Sequence, residues 1–238
     1  MYSAILLLGG DGTRFKNNIP KQFVTVCGRP IYTYSLETLL THSLCGEIIL
    51  VCKMEFIQNV KEYVKRYMSR KILDVVPGGN SRQESVYNGL AFLRTRSSYK
   101  NIESVIIHDS ARPLMNHDDL DLVTKFLKTG VDGISLATRP QDTMLVFGVA
   151  EDKGGSYYKS GQYCLIQTPQ AFNFSSITKA HEQCLKLRER FSDDLQVLIA
   201  ANNDYQVLIV NGRTENFKVT VAEDIKRLEK NIGGKNDG

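Results

Sequence analysis

The sequence predicts an α/β fold, a mostly parallel twisted sheet flanked by helices, and three observations carry that prediction. Short apolar runs with the length of buried strands alternate with stretches whose apolar residues recur at helical spacing. A glycine-rich turn stands directly at the end of the first run, where sheets of this class take their ligands. The alternation breaks once, between Arg139 and Tyr163, where the chain becomes turn-rich and reads as a projecting β-hairpin arm. With 238 residues and 42% hydrophobic content, the chain can bury one sizeable core, so a single domain is expected over residues 1–232, ahead of a flexible polar tail at 233–238.

The first expected strand is the apolar run at 4–8. Helical spacing over 31–40, after Gly28-Arg29-Pro30, marks the first helix, and 47–52 the second strand, which together open a βαβ unit. Residues 56–68 carry Phe56, Val60, Tyr63, Val64 and Tyr67 on one face and lysines on the other, an amphipathic helix. A short strand at 72–76 leads into Pro77-Gly78-Gly79, with Asn80 or Ser81 as N-cap of the next helix and Glu84 in its first turn. A β-branched strand then ends in His108-Asp109, with Arg112 and Pro113 just beyond. A helix at 118–128 stopped by Gly130 and a strand at 133–138 complete the regular part. In the arm, about 139–165, residues 143–147 and 156–158 flank the turn residues 152–155. A two-stranded ribbon is marginal alone, so the arm must pack on something, and a second subunit is the expected partner. Residues 173–190 read as a helix, Ser192-Asp193-Asp194 as the cap of a short helix rather than a metal pair, and 207–210 as a strand. Lys218, in the run 216–220, reads as an edge-strand lysine, and the last helix opens at 222–224.

Composition narrows the function classes. The net charge of +4 is mild and mixed along the chain, with no basic block to track a nucleic-acid backbone, so anionic small substrates fit better than nucleic acid. Five cysteines without a C-x-x-C pair indicate neither a disulfide framework nor a structural zinc site, and read as reduced cytoplasmic thiols. No basic leader precedes the first strand and no apolar run approaches the roughly 20 residues of a membrane span, so no membrane partner is expected.

The chemistry concentrates after the first strand, in Leu8-Gly9-Gly10-Asp11-Gly12-Thr13-Arg14 and Pro20-Lys21-Gln22. Three glycines in four residues permit a cradle of backbone amides, and Arg14 and Lys21 add two full charges beside it, which points to a polyphosphate and so to a nucleoside triphosphate. Phe15 stands where a dinucleotide-binding G-x-G-x-x-G needs its third glycine, and Gly12-Thr13-Arg14 lacks the ending of a P-loop. A ligand-free turn leaves Arg14 and Lys21 unexplained. A second helix N-terminus at 79–85 offers amides to an anion or a base edge, and Asp109 at a strand's carboxyl end is suitably placed to hold Mg2+.

These residues resemble the signature of sugar-phosphate nucleotidyltransferases, and specifically of the 2-C-methyl-D-erythritol 4-phosphate cytidylyltransferase family. The similarity runs from Ala4 to Asp224 in the family's motif order, through G-G-x-x-R-x-x-S-V-x-N-G at 78–89, H-D-x-A-R-P at 108–113, Q-T-P-Q-x-F at 167–172 and the N-x-K-V-T segment at 216–220. The resemblance implies a Rossmann-like fold and the transfer of CMP from CTP to a sugar-alcohol phosphate, with Mg2+ as cofactor, in isoprenoid precursor synthesis. Gly79, Asn80, Arg82, Ser85 and Ser110 would join the first loop in the nucleotide pocket. Arg14 and Lys21 would hold the triphosphate, Asp109 the metal, and Lys218 with Arg112 the acceptor phosphate; His108 is expected to be structural. Arg139, Gln141 and Thr143 of the arm would reach the acceptor, and the arm would build a homodimer.

The chain departs from the family pattern in the arm, where Gln141 and Leu145 stand at commonly basic positions and Arg139 lies two residues earlier, about 7 Å along an extended chain. That departure leaves ribitol 5-phosphate or another polyol phosphate as the alternative acceptor, although the Arg14-to-Lys21 spacing and the Ala111-Arg112 pair favour methylerythritol phosphate. A non-catalytic nucleotide-binding interaction module is the reading from another class, and the set Arg14, Lys21, Asp109 and Lys218 argues against it. A nicotinamide-dependent oxidoreductase is opposed by the missing third glycine.

Overall fold

A strand covered on both faces must be apolar at successive positions, and β1 (Tyr2–Leu7) is buried along its whole length. The computed structural model of the chain describes every residue except 10–18, 66–70, 97–101, 141, 143, 147–155, 159–162, 187–189, 203 and 234–238. Its central element is a seven-stranded sheet in the order β11-β7-β10-β6-β1-β4-β5, where β4 is Cys45–Cys52, β5 Ile72–Pro77, β6 Ser104–Asp109, β7 Gly133–Thr138, β10 Leu165–Asn173 and β11 Val207–Asn211. Every pairing in it is parallel except those of β10, which runs antiparallel between β6 and β7.

Alternate residues of the strands feed two cores. On one face Ala4, Leu6, Ile48 and Leu50 pack with α1 (Tyr32–Thr41), α2 (Ile57–Val64) and α4 (His117–Leu127). On the other, Ile5, Leu7, Ile49 and Val51 pack with α3 (Arg82–Thr95), α5 (Phe174–Cys184) and α6 (Asp194–Ala201). A third, smaller cluster joins Val219 to Val26 of the two-residue strand β2 (Thr25–Val26), to Ile31 just after its partner β3 (Arg29–Pro30) and to Leu228 of α7 (Glu223–Gly233). The expected hairpin is present as β8 (Met144–Val146) and β9 (Ser156–Tyr158), antiparallel and paired with each other.

Three expectations need adjustment. The helix expected at 173–190 runs only from Phe174 to Cys184, with a turn at Leu185 and Lys186: Asn173 caps its start by accepting from the Ser176 amide, and Cys184 is its last residue packed in the core. The helix expected from 56 starts at Ile57, behind a 3-10 turn at Met54–Phe56, and 66–68 lie outside the described residues. Residues 216–220 join no sheet; the segment is pinned by the Val219 amide donating to the Ala111 carbonyl at 2.8 Å and by the Asn216 side chain donating to the Thr168 carbonyl at 2.9 Å.

Candidate active site

Parallel register brings the carboxyl ends of four strands level. Leu7 stands beside Val51 and beside Asp109, and Val51 beside Val76. The chain turns out of the sheet at that level: the Leu8 amide donates to the Val51 carbonyl and the Gly78 amide to the Cys52 carbonyl, each at 2.7 Å. Around these turns lies a cavity of about 350 Å³, lined by Gly9, Lys21, Lys53, Gly79, Arg82 and Asp109 among others. Leu8 itself is buried beneath it, and its carbonyl accepts from the Gln22 side chain.

One wall is the first turn of α3. Ser81 is the N-cap, its hydroxyl accepting from the Glu84 amide at 3.1 Å, while the Glu84 carboxylate accepts from the Asn80 amide at 2.7 Å. Ser81 thus caps the helix, and Glu84 reaches back one residue beyond the cap to the Asn80 amide. The Ser85 hydroxyl accepts from the Gly79 amide at 3.0 Å, and a Cβ at Gly79 would overlap the Glu84 side chain, so glycine is required by the close approach of loop and helix. Gly79, Asn80, Arg82, Ser85 and Ser110, all expected at the nucleotide pocket, line this cavity.

From Arg82 of that turn a row of alternating charges extends along the cavity. Lys218 Nζ donates to Asp109 Oδ2 at 2.6 Å, and Arg82 Nε donates to Asp109 Oδ1 at 3.0 Å. Arg82 Nη2 lies 2.8 Å from Asp194 Oδ2, and Asp194 Oδ1 lies 3.2 Å from His181 Nε2. Burial alone would raise the Asp109 carboxyl, but the charges of Arg82 and Lys218 outweigh it and hold the group well below the usual carboxylate range. Asp109 is thus an anion at neutral pH. Lys21 sits in the 3-10 turn Lys21–Phe23, and its Nζ donates to the Val219 carbonyl at 2.6 Å, so both lysines rest on one backbone segment.

His108 is fully buried, within hydrogen-bond distance of Thr168 Oγ1, Ser35 Oγ and the Arg112 carbonyl. Burial, outweighing the pull of Asp109, pushes it down to about 4, so it is a neutral strut under the turn. Arg112 is bound up in structure as well: its two terminal nitrogens donate to the Asn216 and Ile166 carbonyls at 2.8 and 3.2 Å. It borders a second cavity of about 400 Å³, which shares Arg82, Asp109 and Lys218 with the first and adds Gln167, Thr168 and the start of α6. Arg139 is exposed after β7 and is not in the lining of either cavity. Gly10, Asp11, Gly12, Thr13, Arg14, Gln141 and Thr143 lie outside the described residues.

Among the described residues, no group of three or more His, Cys, Asp or Glu side chains gathers to hold a metal. Asp109 is the one carboxylate in the described lining of the first cavity. A carboxylate offers about four lone-pair positions, of which Arg82 and Lys218 take two. That donor set fits a Mg2+ ion that draws its remaining oxygens from phosphates and water.

Lys53 and Asp194 were given no role at the site from the sequence. Lys53 lines the first cavity because it directly follows β4, and its place at a strand's carboxyl end was the available signal. Asp194 was read only as part of a cap, a role that Asp193 fills by accepting from the Gln196 amide.

Comparison with known proteins bears on this geometry. The sequence model of the 2-C-methyl-D-erythritol 4-phosphate cytidylyltransferase family matches residues 2–233. Relatives bearing that name in Clostridium botulinum (strain 657 / Type Ba4) and Clostridium acetobutylicum are 32% and 31% identical; the first alignment covers 94% of this chain and 93% of the relative, the second 96% of each. A crystal structure of 4-diphosphocytidyl-2C-methyl-D-erythritol synthase from Anaerococcus prevotii superposes with a TM-score of 0.83 at 25% identity, over 98% of this chain and 96% of that one. Motif order, fold and near-complete two-way coverage agree, and the chain belongs to the 2-C-methyl-D-erythritol 4-phosphate cytidylyltransferase family.

Proposed function

We propose that the chain transfers the cytidylyl group of CTP to 2-C-methyl-D-erythritol 4-phosphate, forming 4-CDP-2-C-methyl-D-erythritol and pyrophosphate. Family membership supports the reaction, and one observation carries the assignment of roles: the Lys218–Asp109–Arg82 row is the shared wall of two cavities at the strand ends. In this reading CTP fills the first cavity, its base and ribose against the first turn of α3 and its triphosphate towards Lys21 and the loop bearing Arg14. The acceptor phosphate enters from the second, past Arg112.

A phosphate-monoester oxygen of the acceptor attacks the α-phosphorus of CTP. The new P–O bond forms as the bond to the β-phosphate oxygen breaks, and pyrophosphate leaves with that electron pair. No covalent enzyme intermediate is required, so catalysis is positioning and charge stabilisation. Lys218 meets the incoming phosphate and Lys21 the charge growing on the leaving side. Arg112 shapes the entry by fixing the Asn216 and Ile166 carbonyls. Asp109 is the residue that would hold Mg2+, which when bound neutralises charge on phosphate oxygens.

The arm bearing Arg139, Gln141 and Thr143 joins two chains into a homodimer and completes the acceptor site, and the free thiols suit the reducing cytoplasm. The test is pyrophosphate release with CTP and Mg2+, offering 2-C-methyl-D-erythritol 4-phosphate and ribitol 5-phosphate in parallel. Turnover with the first alone is expected; turnover with the second alone would move the protein to the polyol branch.

A further inference from the structure

The charged row continues behind the two cavities, and its far end has a purpose that helix capping does not supply. Arg82 is the first residue of α3, where the helix dipole disfavours a cation. It is held there by two carboxylates, Asp109 Oδ1 hydrogen-bonded to Nε and Asp194 Oδ2 ion-paired with Nη2. A rigid planar guanidinium held through two of its nitrogens is more narrowly oriented than one held through a single nitrogen. Asp194 is completely buried and lines neither cavity. Its second oxygen is tied to His181, also completely buried, and it occupies the first position of α6, where the helix dipole favours an anion. Burying a carboxylate is costly, and the cap of α6 is already supplied by Asp193.

We propose that Asp194 is a positioning residue for cytidylyl transfer: through Arg82 it fixes the orientation of the Asp109 carboxylate, and with it the ammonium of Lys218, on the wall between the nucleotide and the acceptor. The inference rests on the reaction proposed above. It makes α6 part of the catalytic geometry, although Asp194 itself touches neither substrate cavity.

The experiment compares wild type, Asp194→Asn, Asp194→Glu, Arg82→Gln and the Asp194→Asn/Arg82→Gln double variant. Each is checked for native circular dichroism, then assayed for pyrophosphate release with CTP and 2-C-methyl-D-erythritol 4-phosphate. Displacing a reacting group by about 1 Å costs up to about 10²-fold, so Asp194→Asn is expected to lower kcat by about 10- to 100-fold while KM for CTP changes by less than about threefold. Asp194→Glu, which keeps the charge, is expected to recover part of the loss. Because Asp194 acts through Arg82, adding Asp194→Asn to Arg82→Gln should cost no more than about a further twofold.

Losses that multiply in the double variant would overturn the inference, as would an Asp194→Asn enzyme with wild-type kcat. Should Asp194→Asn fail to fold, Arg82→Lys takes its place, since a lysine keeps the charge but lacks the rigid planar fork that sets the two carboxylates relative to each other. It is expected to fall as far as Arg82→Gln, and wild-type kcat in Arg82→Lys would overturn the proposal. A wild-type protein silent with these substrates would instead overturn the assigned reaction and the inference built on it, which keeps the two failures apart.

Discussion

Lys21 and Lys218 come from opposite ends of the chain, yet both rest on the segment around Val219, one through its carbonyl and the other as its neighbour in sequence. Their charges are therefore held in place before substrate arrives, which is the condition under which an electrostatic donor is most effective. Replacing Lys21 by alanine is expected to lower kcat for pyrophosphate release by about 10²- to 10³-fold, the loss typical of a single donor to a developing oxyanion; a loss below tenfold would remove Lys21 from the triphosphate. The cysteines give a residue-scale prediction that involves no substrate. Burial pushes the Cys45 and Cys52 thiols up to about 11, against the weaker opposite pull of Lys71 and Lys61. A raised thiol pKa keeps the sulfur protonated, so at pH 9 only about 1% of each is thiolate, the reactive form. Cys184 is buried as well, whereas Cys27 and Cys164 are exposed. Titration of the native protein with a disulfide reagent should modify two of the five thiols at pH 8 and no more at pH 9, with the remaining three appearing on denaturation. Rapid modification of a third thiol on raising the pH would contradict the burial of these strands.

The first turn of α3 is the element on which the nucleotide end depends, and its stability is local. Ser81 Oγ on the Glu84 amide and Glu84 on the Asn80 amide span five residues, so the cap was legible in the sequence, where Asn80 or Ser81 with Glu84 could be read directly. Ser81→Ala leaves the Glu84 amide unsatisfied and is expected to cost about 1 kcal/mol, read as a lower urea midpoint with unchanged slope. In the proposed placement this turn holds the base and ribose, so the same loosening should raise KM for CTP more than it lowers kcat; an unchanged KM would place the base elsewhere. The partnership of Asp194 with Arg82 was not legible, and the reason is physical. A Ser-Asp-Asp run before a helix satisfies capping rules whether or not its second aspartate faces inward, and only the packing of α6 on α5 and of α5 on α3 decides that. Lys218 shows the same limit. Its neighbours Phe217 and Val219 alternate with it as a strand would, but the segment pairs with loop atoms at Ala111 and Thr168 instead of a sheet neighbour.

At the scale of the whole molecule, the sheet explains why the site lies where it does, and the arm is the part the body does not explain. Strands covered on both faces set their carboxyl ends level, and the loops leaving those ends converge on two adjoining cavities. That arrangement followed from the apolar runs and the glycine turns alone, because parallel strands buried by helices leave their ends as the open edge. The arm obeys a different constraint. Among the described residues its strands β8 and β9 form a separate two-stranded sheet and pair with each other, not with the seven-stranded body. A two-stranded ribbon is marginal alone in water, so its stability must come from a surface it packs against. A second copy of the chain supplies that surface in the homodimer proposed here. Light scattering on the purified protein should then give twice the 26.8 kDa of one chain. Replacing residues 142–160 by a short Gly-Ser linker should give the single-chain mass and abolish turnover with the acceptor, while the rise in melting temperature on adding CTP persists, since the first cavity is built from the body. A wild-type protein that scatters as one chain at assay concentration would sink the dimer, and an armless variant with full turnover would remove Thr143 from the acceptor site.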